Sequence, residues 1–269
     1  MSRLTGIFEA RSAVDERVLV GYLVAGDPHI TATVPAMHAL ADNGVDVIEV
    51  GMPFSDPEAE GPDIQAGHER ALAAGTRVAD IFAAVQAFRA RDERTGIVLM
   101  GYLNVVERIG VDRFVAQAVA AGVDGMILVN LPPEEADVLR AAFEPHGLDL
   151  ILLVAPTTTD ARARTILAAS SGFSYYVSLK GTTGAGHLDV EAVRKRLATL
   201  RPLTDLPLAV GFGIRDAASA RAIAEFADAV VVGSAIVRSM GEGSDDLESL
   251  PARVGGFVSE LRQAIDARN

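Results

Sequence analysis

The sequence of 269 residues contains no cysteine. Disulfides, thiolate nucleophiles and cysteine-ligated metals are therefore excluded. Five histidines are present, but none forms an H-x-x-H or H-E-x-x-H pair, which argues against a metal site. Tryptophan is also absent and aromatic residues make up only 5% of the chain, whereas hydrophobic residues make up 49%. The sequence thus predicts a large aliphatic core, which is typical of parallel sheets buried on both faces.

Positive charge is scarce, because 24 Lys and Arg residues face 36 Asp and Glu residues and the formal net charge is −12. This balance argues against a nucleic-acid partner, which needs a basic face, and against binding to an anionic membrane surface. No apolar run is long enough to span a bilayer, and residues 1–15 lack the apolar segment of a secretory signal. We therefore expect a cytoplasmic enzyme.

Short apolar runs rich in β-branched residues alternate with alanine-rich amphipathic stretches along the whole chain. The pattern predicts about eight strands, each followed by a helix, at a spacing of about 30 residues. The predicted strands are residues 17–24, 47–50, 96–101, 125–129, 148–154, 173–178, 206–210 and 229–232. We expect a single (βα)₈-barrel (TIM-barrel) domain over residues 1–269. An open doubly wound sheet is the alternative, but the first strand–helix turn lacks G-x-G-x-x-G.

The loop after the second predicted strand is the strongest candidate for catalysis. In such barrels the active site lies at the C-terminal ends of the strands, and a long ordered loop there tends to be functional. Glu49 ends this strand between apolar neighbours, so its carboxyl is expected near buried surface, with a raised pKa and an acid–base role. Asp56 and Glu58, further along the loop, fit a solvated acidic loop equally well.

Two glycine pairs predict a phosphate site at the C-terminal ends of the seventh and eighth predicted strands. Gly211 and Gly213 follow the seventh strand, and Gly233 with Ser234 follows the eighth and precedes a short helix. Glycine lets the backbone approach an anion, and a helix N-terminus offers free N–H groups. The glycine-rich loop after the sixth strand, which contains Gly184, is a candidate lid.

Several segments together resemble the tryptophan synthase α subunit family. The most specific is Glu49-Val50-Gly51-Met52-Pro53-Phe54-Ser55-Asp56-Pro57, followed by Gly61-Pro62-x-Ile64-Gln65. The others are Gly21-Tyr22, Ala25-Gly26-Asp27-Pro28, Tyr102-x-Asn104, Leu131-Pro132-x-Glu134-Glu135, Gly181-x-Thr183-Gly184, Gly211-Phe212-Gly213-Ile214 and Gly233-Ser234-Ala235-Ile236-Val237.

This resemblance implies a lyase of tryptophan biosynthesis that cleaves indole-3-glycerol phosphate to indole and glyceraldehyde 3-phosphate without a cofactor or metal. It implies that Glu49 is the acid–base group, that Glu60 is a second carboxylate where the family usually has Asp, and that Tyr175 lies near the substrate. A β subunit is the implied partner, in an α₂β₂ assembly. The implied substrate-binding residues are Tyr22, Ile64, Met100, Ile127, Phe212, Gly184, Gly213, Gly233 and Ser234.

Three other readings stay open at this point. Glu58, Glu60 and Asn130 depart from the family pattern on elements that couple to the β subunit in the family. They leave room for a stand-alone lyase that releases indole, or for a weakly active paralogue that binds the phosphate ligand and regulates a partner. A lysine-dependent aldolase is a further possibility, with Lys180 as the Schiff-base residue.

Overall fold

The computed structural model describes residues 2–178, 188–211 and 213–267. Within these ranges, nine short strands form one sheet in which every hydrogen-bonded pair of strands is parallel. They are β1 (Val18–Val24), β2 (Val47–Gly51), β3 (Gly96–Gly101), β4 (Gly125–Leu128), β5 (Asp149–Ile151), β6 (Leu153–Val154), β7 (Ser174–Val177), β8 (Leu208–Gly211) and β9 (Ala229–Val232).

The sheet is nearly closed into a barrel. Its strand order is β5-β4-β3-β2-β1-β9-β8-β7-β6, so the two ends of the order are β5 and β6. Only Leu152 separates these two strands in the chain, and they correspond to the single predicted strand over residues 148–154. The predicted eight-stranded parallel barrel is confirmed, with one strand interrupted at Leu152.

Helices surround the barrel, as crossover connections between parallel strands require. The last helix packs against the helices that follow β1 and β8 and so completes the outer ring. The helices are α1 (Arg3–Ala13), α2 (Ile30–Asp42), α3 (Pro62–Ala73), α4 (Val78–Arg89), α5 (Leu103–Ile109), α6 (Val111–Ala121), α7 (Ala136–Phe143), α8 (Asp160–Ala169), α9 (Val190–Leu200), α10 (Ala217–Ala224), α11 (Ser234–Gly241) and α12 (Leu250–Asp266).

The apolar residues of the strands divide between two cores. In β1, Val18, Val20 and Tyr22 point into the barrel, whereas Leu19 and Leu23 pack against the helices. Both faces of the strand are therefore buried, which is why the strands appear in the sequence as continuous apolar runs without alternation. Polar and charged groups inside the barrel are exceptions that call for a functional explanation.

Two helices were not predicted. In α1 only Leu4 and Phe8 are buried, and Phe8 packs on Phe173 with a 5.4 Å ring separation, so the helix covers one end of the barrel with a single narrow apolar edge. The first residue of the seven-residue helix α5 depends on a distant acceptor. Its N–H, that of Leu103, donates to Asn130 Oδ1 at 2.8 Å. Neither feature leaves a periodic pattern in the local sequence.

Taken over the described ranges, no single helix has the length and hydropathy needed to cross a bilayer. One pair of helices, α3 and α4, passes that test jointly, but the pair is bent by 102° at the break between them.

Candidate active site

A small cavity opens at the C-terminal ends of the strands. Its walls come from β1, β2, β3, β7 and β9, from α3, and from the segments after β8 and β9. The sequence-predicted residues that line it are Tyr22, Glu49, Glu60, Ile64, Met100, Tyr175, Gly213, Gly233 and Ser234, and Ile214 and Val231 complete the lining. Most of the site residues predicted from the sequence are thus brought together in one cavity.

Glu49 lies inside the barrel on β2 and is 1% exposed. Its register partners are Tyr22 on β1 and Val98 on β3, so the carboxyl stands between an aromatic ring and an aliphatic side chain. Among the described residues, Oε1 has no hydrogen-bond partner. Burial without a compensating donor disfavours the ionised form and raises the pKa of Glu49 to about 8. The expected buried carboxyl with a raised pKa is therefore present, protonated at neutral pH.

Glu60 is also buried, at 2% exposure, but its surroundings are polar. Its Oε2 accepts a hydrogen bond from the hydroxyl of Tyr102, which follows β3. Burial raises the pKa of Glu60 above its usual range, whereas the Tyr102 hydrogen bond and backbone donors oppose that rise. The cavity therefore holds two carboxyls, of which Glu49 is without a donor and Glu60 is hydrogen-bonded.

The loop that carries Glu60, residues 52–61, is held in place by Tyr102 and by His68. The ring of Phe54 stacks on the Tyr102 ring with 4.6 Å between centroids, and the Ala59 N–H donates to the Tyr102 hydroxyl at 3.2 Å. On the other side of Phe54, its backbone N–H donates to His68 Nδ1 at 3.0 Å. His68 lies one turn after Ile64 on α3, a helix that begins with a proline at its first position.

Two tyrosines close the sides of the cavity. The hydroxyl of Tyr22 lies 3.3 Å from His68 Nε2 and directly over Gly51, where an added Cβ would come within 2.2 Å of it. The hydroxyl of Tyr175 lies over Gly211 in the same way. Burial and the nearby Glu49 carboxyl raise the pKa of Tyr175 well above its ordinary value, so this hydroxyl stays protonated.

The predicted phosphate-binding backbone lies directly after β8 and β9. Gly213 has φ +77°, a left-handed conformation that favours glycine. Gly233 precedes the first residue of α11, so the N–H groups at the start of that helix face the cavity rim. At Gly233 an added Cβ would make only ordinary contacts, at 3.4 Å or more from Tyr22 and Ile64. The local backbone therefore does not require glycine at position 233, which fits a role in giving space to a ligand.

One predicted site residue in the described part of the chain, Ile127, does not line the cavity. Ile127 is fully buried in the barrel interior, where it pairs with Met100 and Ile151. Gly184 and Phe212 lie outside the described residues, as does Lys180.

His68 and Tyr102 were missed as site residues by the sequence reasoning. Tyr102 was part of a motif, but only the fold shows that its hydroxyl reaches Glu60. His68 could have been found from its spacing, because a residue four positions after Ile64 lies on the same helix face.

A wider cleft lies at the opposite end of the barrel, beside α1 and the segments that precede β8 and β9. It contains none of the cavity residues, and side chains at the N-terminal ends of barrel strands usually serve stability. The described residues also contain no group of three or more His, Cys, Asp or Glu side chains suited to holding a metal ion.

The chain is similar to known proteins over nearly its whole length. The family model described as tryptophan synthase alpha chain matches residues 8–266. The tryptophan synthase alpha chain of Nitrosococcus oceani is 50% identical over 99% of this chain and 98% of its own length, and that of Burkholderia pseudomallei is 49% identical over 99% and 97%.

Solved structures show the same similarity. Tryptophan synthase subunit alpha from Legionella pneumophila superposes with a TM-score of 0.91 at 41% identity, covering 99% of each chain. A chain of Mycobacterium tuberculosis tryptophan synthase superposes with a TM-score of 0.89 at 40% identity, covering 98% of each. The chain therefore belongs to the tryptophan synthase alpha chain family, as its sequence motifs predicted.

Proposed function

We propose that the cavity cleaves indole-3-glycerol phosphate to indole and glyceraldehyde 3-phosphate, with Glu49 as the acid–base group and Glu60 as the charge-stabilising carboxylate. The reaction is the one expected from the family to which the chain belongs. The assignment of roles rests on one observation. Two buried carboxyls share the cavity. Among the described residues, Glu60 accepts a hydrogen bond from the Tyr102 hydroxyl, whereas Oε1 of Glu49 has no partner.

Glu49 enters the reaction as the acid because burial keeps it protonated at neutral pH. Its proton goes to C3 of the indole ring, which leaves a positively charged ring nitrogen and a Glu49 carboxylate. That carboxylate then takes the proton from the adjacent side-chain hydroxyl. The C3–carbon bond breaks, its electron pair restores the neutral indole, and the hydroxyl carbon becomes the aldehyde. Glu49 ends the cycle protonated, so one residue acts first as acid and then as base.

Glu60 would stabilise the positive ring nitrogen of the intermediate by a charge-assisted hydrogen bond in a water-poor cavity. The Tyr102 hydroxyl supports this role because it donates to Glu60 and favours the ionised carboxylate. Glutamate is one methylene longer than the aspartate usual in the family, and Tyr102 supplies a fixed contact for the longer side chain.

The phosphate group would bind at the Gly213 and Gly233 backbone and at the N-terminal N–H groups of α11, beginning at Ser234. Gly184 and Phe212, outside the described residues, remain predicted contributors from the facing loops.

Of the three departures from the family pattern, Glu60 lines the cavity, whereas Glu58 and Asn130 lie away from the reacting groups. Glu58 is exposed on the outer side of its loop. Asn130 Nδ2 donates to Asn104 Oδ1 at 3.0 Å and its Oδ1 accepts the Leu103 N–H, so it fastens the start of α5. Neither residue lines the cavity. A weakly active paralogue or a stand-alone lyase is therefore not favoured. A tryptophan synthase β subunit in an α₂β₂ assembly is the proposed partner, and the cytoplasm the proposed location.

Indole release from indole-3-glycerol phosphate by the purified chain, alone and with a β subunit, tests the proposal. Two glutamates of the same loop provide a matched pair of variants. Glu60→Gln keeps the shape but removes the negative charge, and we expect kcat to fall by about 10²–10³-fold. Glu58→Gln removes an exposed charge and should keep activity within about threefold. The proposal is wrong if the wild-type chain releases no indole under either condition, or if the two variants behave alike.

A further inference from the structure

We infer that His68 is a positioning residue for this reaction, because its two ring nitrogens join the Tyr22 wall of the cavity to the backbone of the loop that carries Glu60. The inference rests on the proposed function of Glu60. His68 itself is not among the residues that line the cavity.

The hydrogen bonds of His68 define its tautomer. Nδ1 accepts the Phe54 N–H at 3.0 Å, so Nδ1 carries no proton. In the neutral ring the proton is then on Nε2, which donates to the Tyr22 hydroxyl oxygen at 3.3 Å. A doubly protonated ring would place an N–H on Nδ1 against the Phe54 N–H, two donors facing each other. Burial also lowers the pKa of His68 to about 4, so the ring stays neutral at physiological pH.

The path from His68 to Glu60 is short and continuous. His68 holds the backbone of Phe54, and the ring of Phe54 stacks on the ring of Tyr102. The Tyr102 hydroxyl in turn donates to Glu60 and accepts the Ala59 N–H. His68 thus holds the first part of the loop and Tyr102 holds the last part. Loss of the His68–Phe54 hydrogen bond would release the stacked ring on which the position of Tyr102 depends.

The second ring nitrogen of His68, Nε2, contacts Tyr22 on a different wall of the cavity. The Tyr22 hydroxyl is held over Gly51, the residue where β2 ends and the loop begins. On its other side, Tyr22 lies next to Gly233, where an added Cβ would be 3.4 Å from Tyr22 Cβ. His68 therefore connects the loop to Tyr22, which contacts both the end of β2, the strand that carries Glu49, and the segment after β9 proposed to bind phosphate.

Two amide substitutions separate the two hydrogen bonds. In His68→Asn the amide oxygen occupies the place of Nδ1 and can accept the Phe54 N–H, but the side chain is too short to reach Tyr22. In His68→Gln the amide N–H₂ occupies the place of Nε2 and can donate to Tyr22, whereas the acceptor for Phe54 is lost. His68→Phe removes both bonds at similar volume. His38→Phe is the control, because His38 is a half-buried histidine on α2 that packs on Phe88 in the outer layer.

Steady-state kinetics with indole-3-glycerol phosphate then gives an order of variants. We expect kcat to fall about 10–100-fold in His68→Gln and His68→Phe, because misplacing Glu60 by about 1 Å has a cost of that size. His68→Asn should keep kcat within about threefold, because the loop hydrogen bond is restored. The inhibition constant of inorganic phosphate should not change in His68→Gln, because that variant keeps the hydrogen bond to Tyr22, the side chain next to Gly233. A purely structural role would weaken kcat and phosphate binding together.

Amide hydrogen exchange supplies a readout that does not need activity. Exchange of the Phe54-containing peptide should accelerate in His68→Gln and His68→Phe and remain at the wild-type rate in His68→Asn and His38→Phe. Equal exchange and equal kcat in His68→Asn and His68→Gln would overturn the inference. A wild-type chain without indole release but with this exchange pattern would instead refute the proposed function and leave the loop contact established.

Discussion

Replacing Glu49 by glutamine keeps the shape of the side chain and removes its ionisation, so it isolates the cost of burying this carboxyl. Burial raises the pKa of Glu49 from an ordinary value of 4.5 to about 8 in the folded chain. Below pH 4.5 the Glu49 carboxyl is protonated in both the folded and the unfolded chain, so folding buries no charge at this position. Between pH 4.5 and 8 only the folded chain keeps the proton, so the stability contributed by the protonated form is lost progressively as pH rises.

The size of the effect follows from the separation of the two pKa values. Each pH unit changes the free energy of unfolding by about 1.4 kcal/mol, so the total between pH 4.5 and 8 is about 5 kcal/mol. Glu49→Gln has no such dependence. The variant should therefore gain stability relative to the wild type as pH rises, and the gain should level off above pH 8.

Urea unfolding followed by circular dichroism at pH 5, 6.5, 8 and 9 measures the difference directly. Glu260→Gln on the exposed face of α12 is the matched control, and its stability relative to the wild type should vary by less than about 0.5 kcal/mol over the same range. A Glu49→Gln difference that is independent of pH would refute the argument that Glu49 is buried without compensation.

Four further results are expected. The profile of kcat/KM against pH should be bell-shaped, falling above pH about 8 as Glu49 loses the proton it must donate, and falling at low pH as Glu60 becomes protonated. In Glu60→Asp the shorter side chain loses the Tyr102 hydrogen bond, so kcat/KM should fall about 10–100-fold, whereas a rise would show that Glu60 is an impaired substitute for aspartate. Gly233→Ala should raise KM about tenfold and leave the free energy of unfolding within about 0.5 kcal/mol of wild type, because its methyl group would make only ordinary contacts with Tyr22 and Ile64 while narrowing the proposed phosphate site. Gly213→Ala should instead lose about 1 kcal/mol of stability because of its positive φ, and calorimetry with kinetics distinguishes the two glycines.

The strands and most of the cavity could be predicted because their signals are local. A barrel strand buried on both faces is a continuous apolar run, and Glu49 stands out as a carboxyl near the C-terminal end of such a run. Gly213 and Gly233 could be identified because glycines after late strands occur at the C-terminal face of a barrel. The prediction of one domain over residues 1–269 stays a prediction.

The remaining features depend on contacts between distant parts of the chain. The hydrogen bond of Tyr102 to Glu60 joins residues 42 positions apart, and that of Tyr22 to His68 joins residues 46 apart. No local period encodes such pairs, and the start of α5 depends likewise on Asn130. Ile127 was expected at the cavity from the family resemblance, but it is not among the lining residues, which include Met100 and Tyr175.

The most direct test of Glu49 separates binding from cleavage in Glu49→Gln. The dissociation constant of indole-3-glycerol phosphate, measured by calorimetry, should stay within about threefold of that of the wild type, because the phosphate and ring contacts are unchanged. Single-turnover release of indole should fall by about 10²–10⁴-fold, because the variant has no proton to give to C3 and no base to take the hydroxyl proton. Release at more than about a tenth of the wild-type rate would contradict the assignment of Glu49 as the acid–base group.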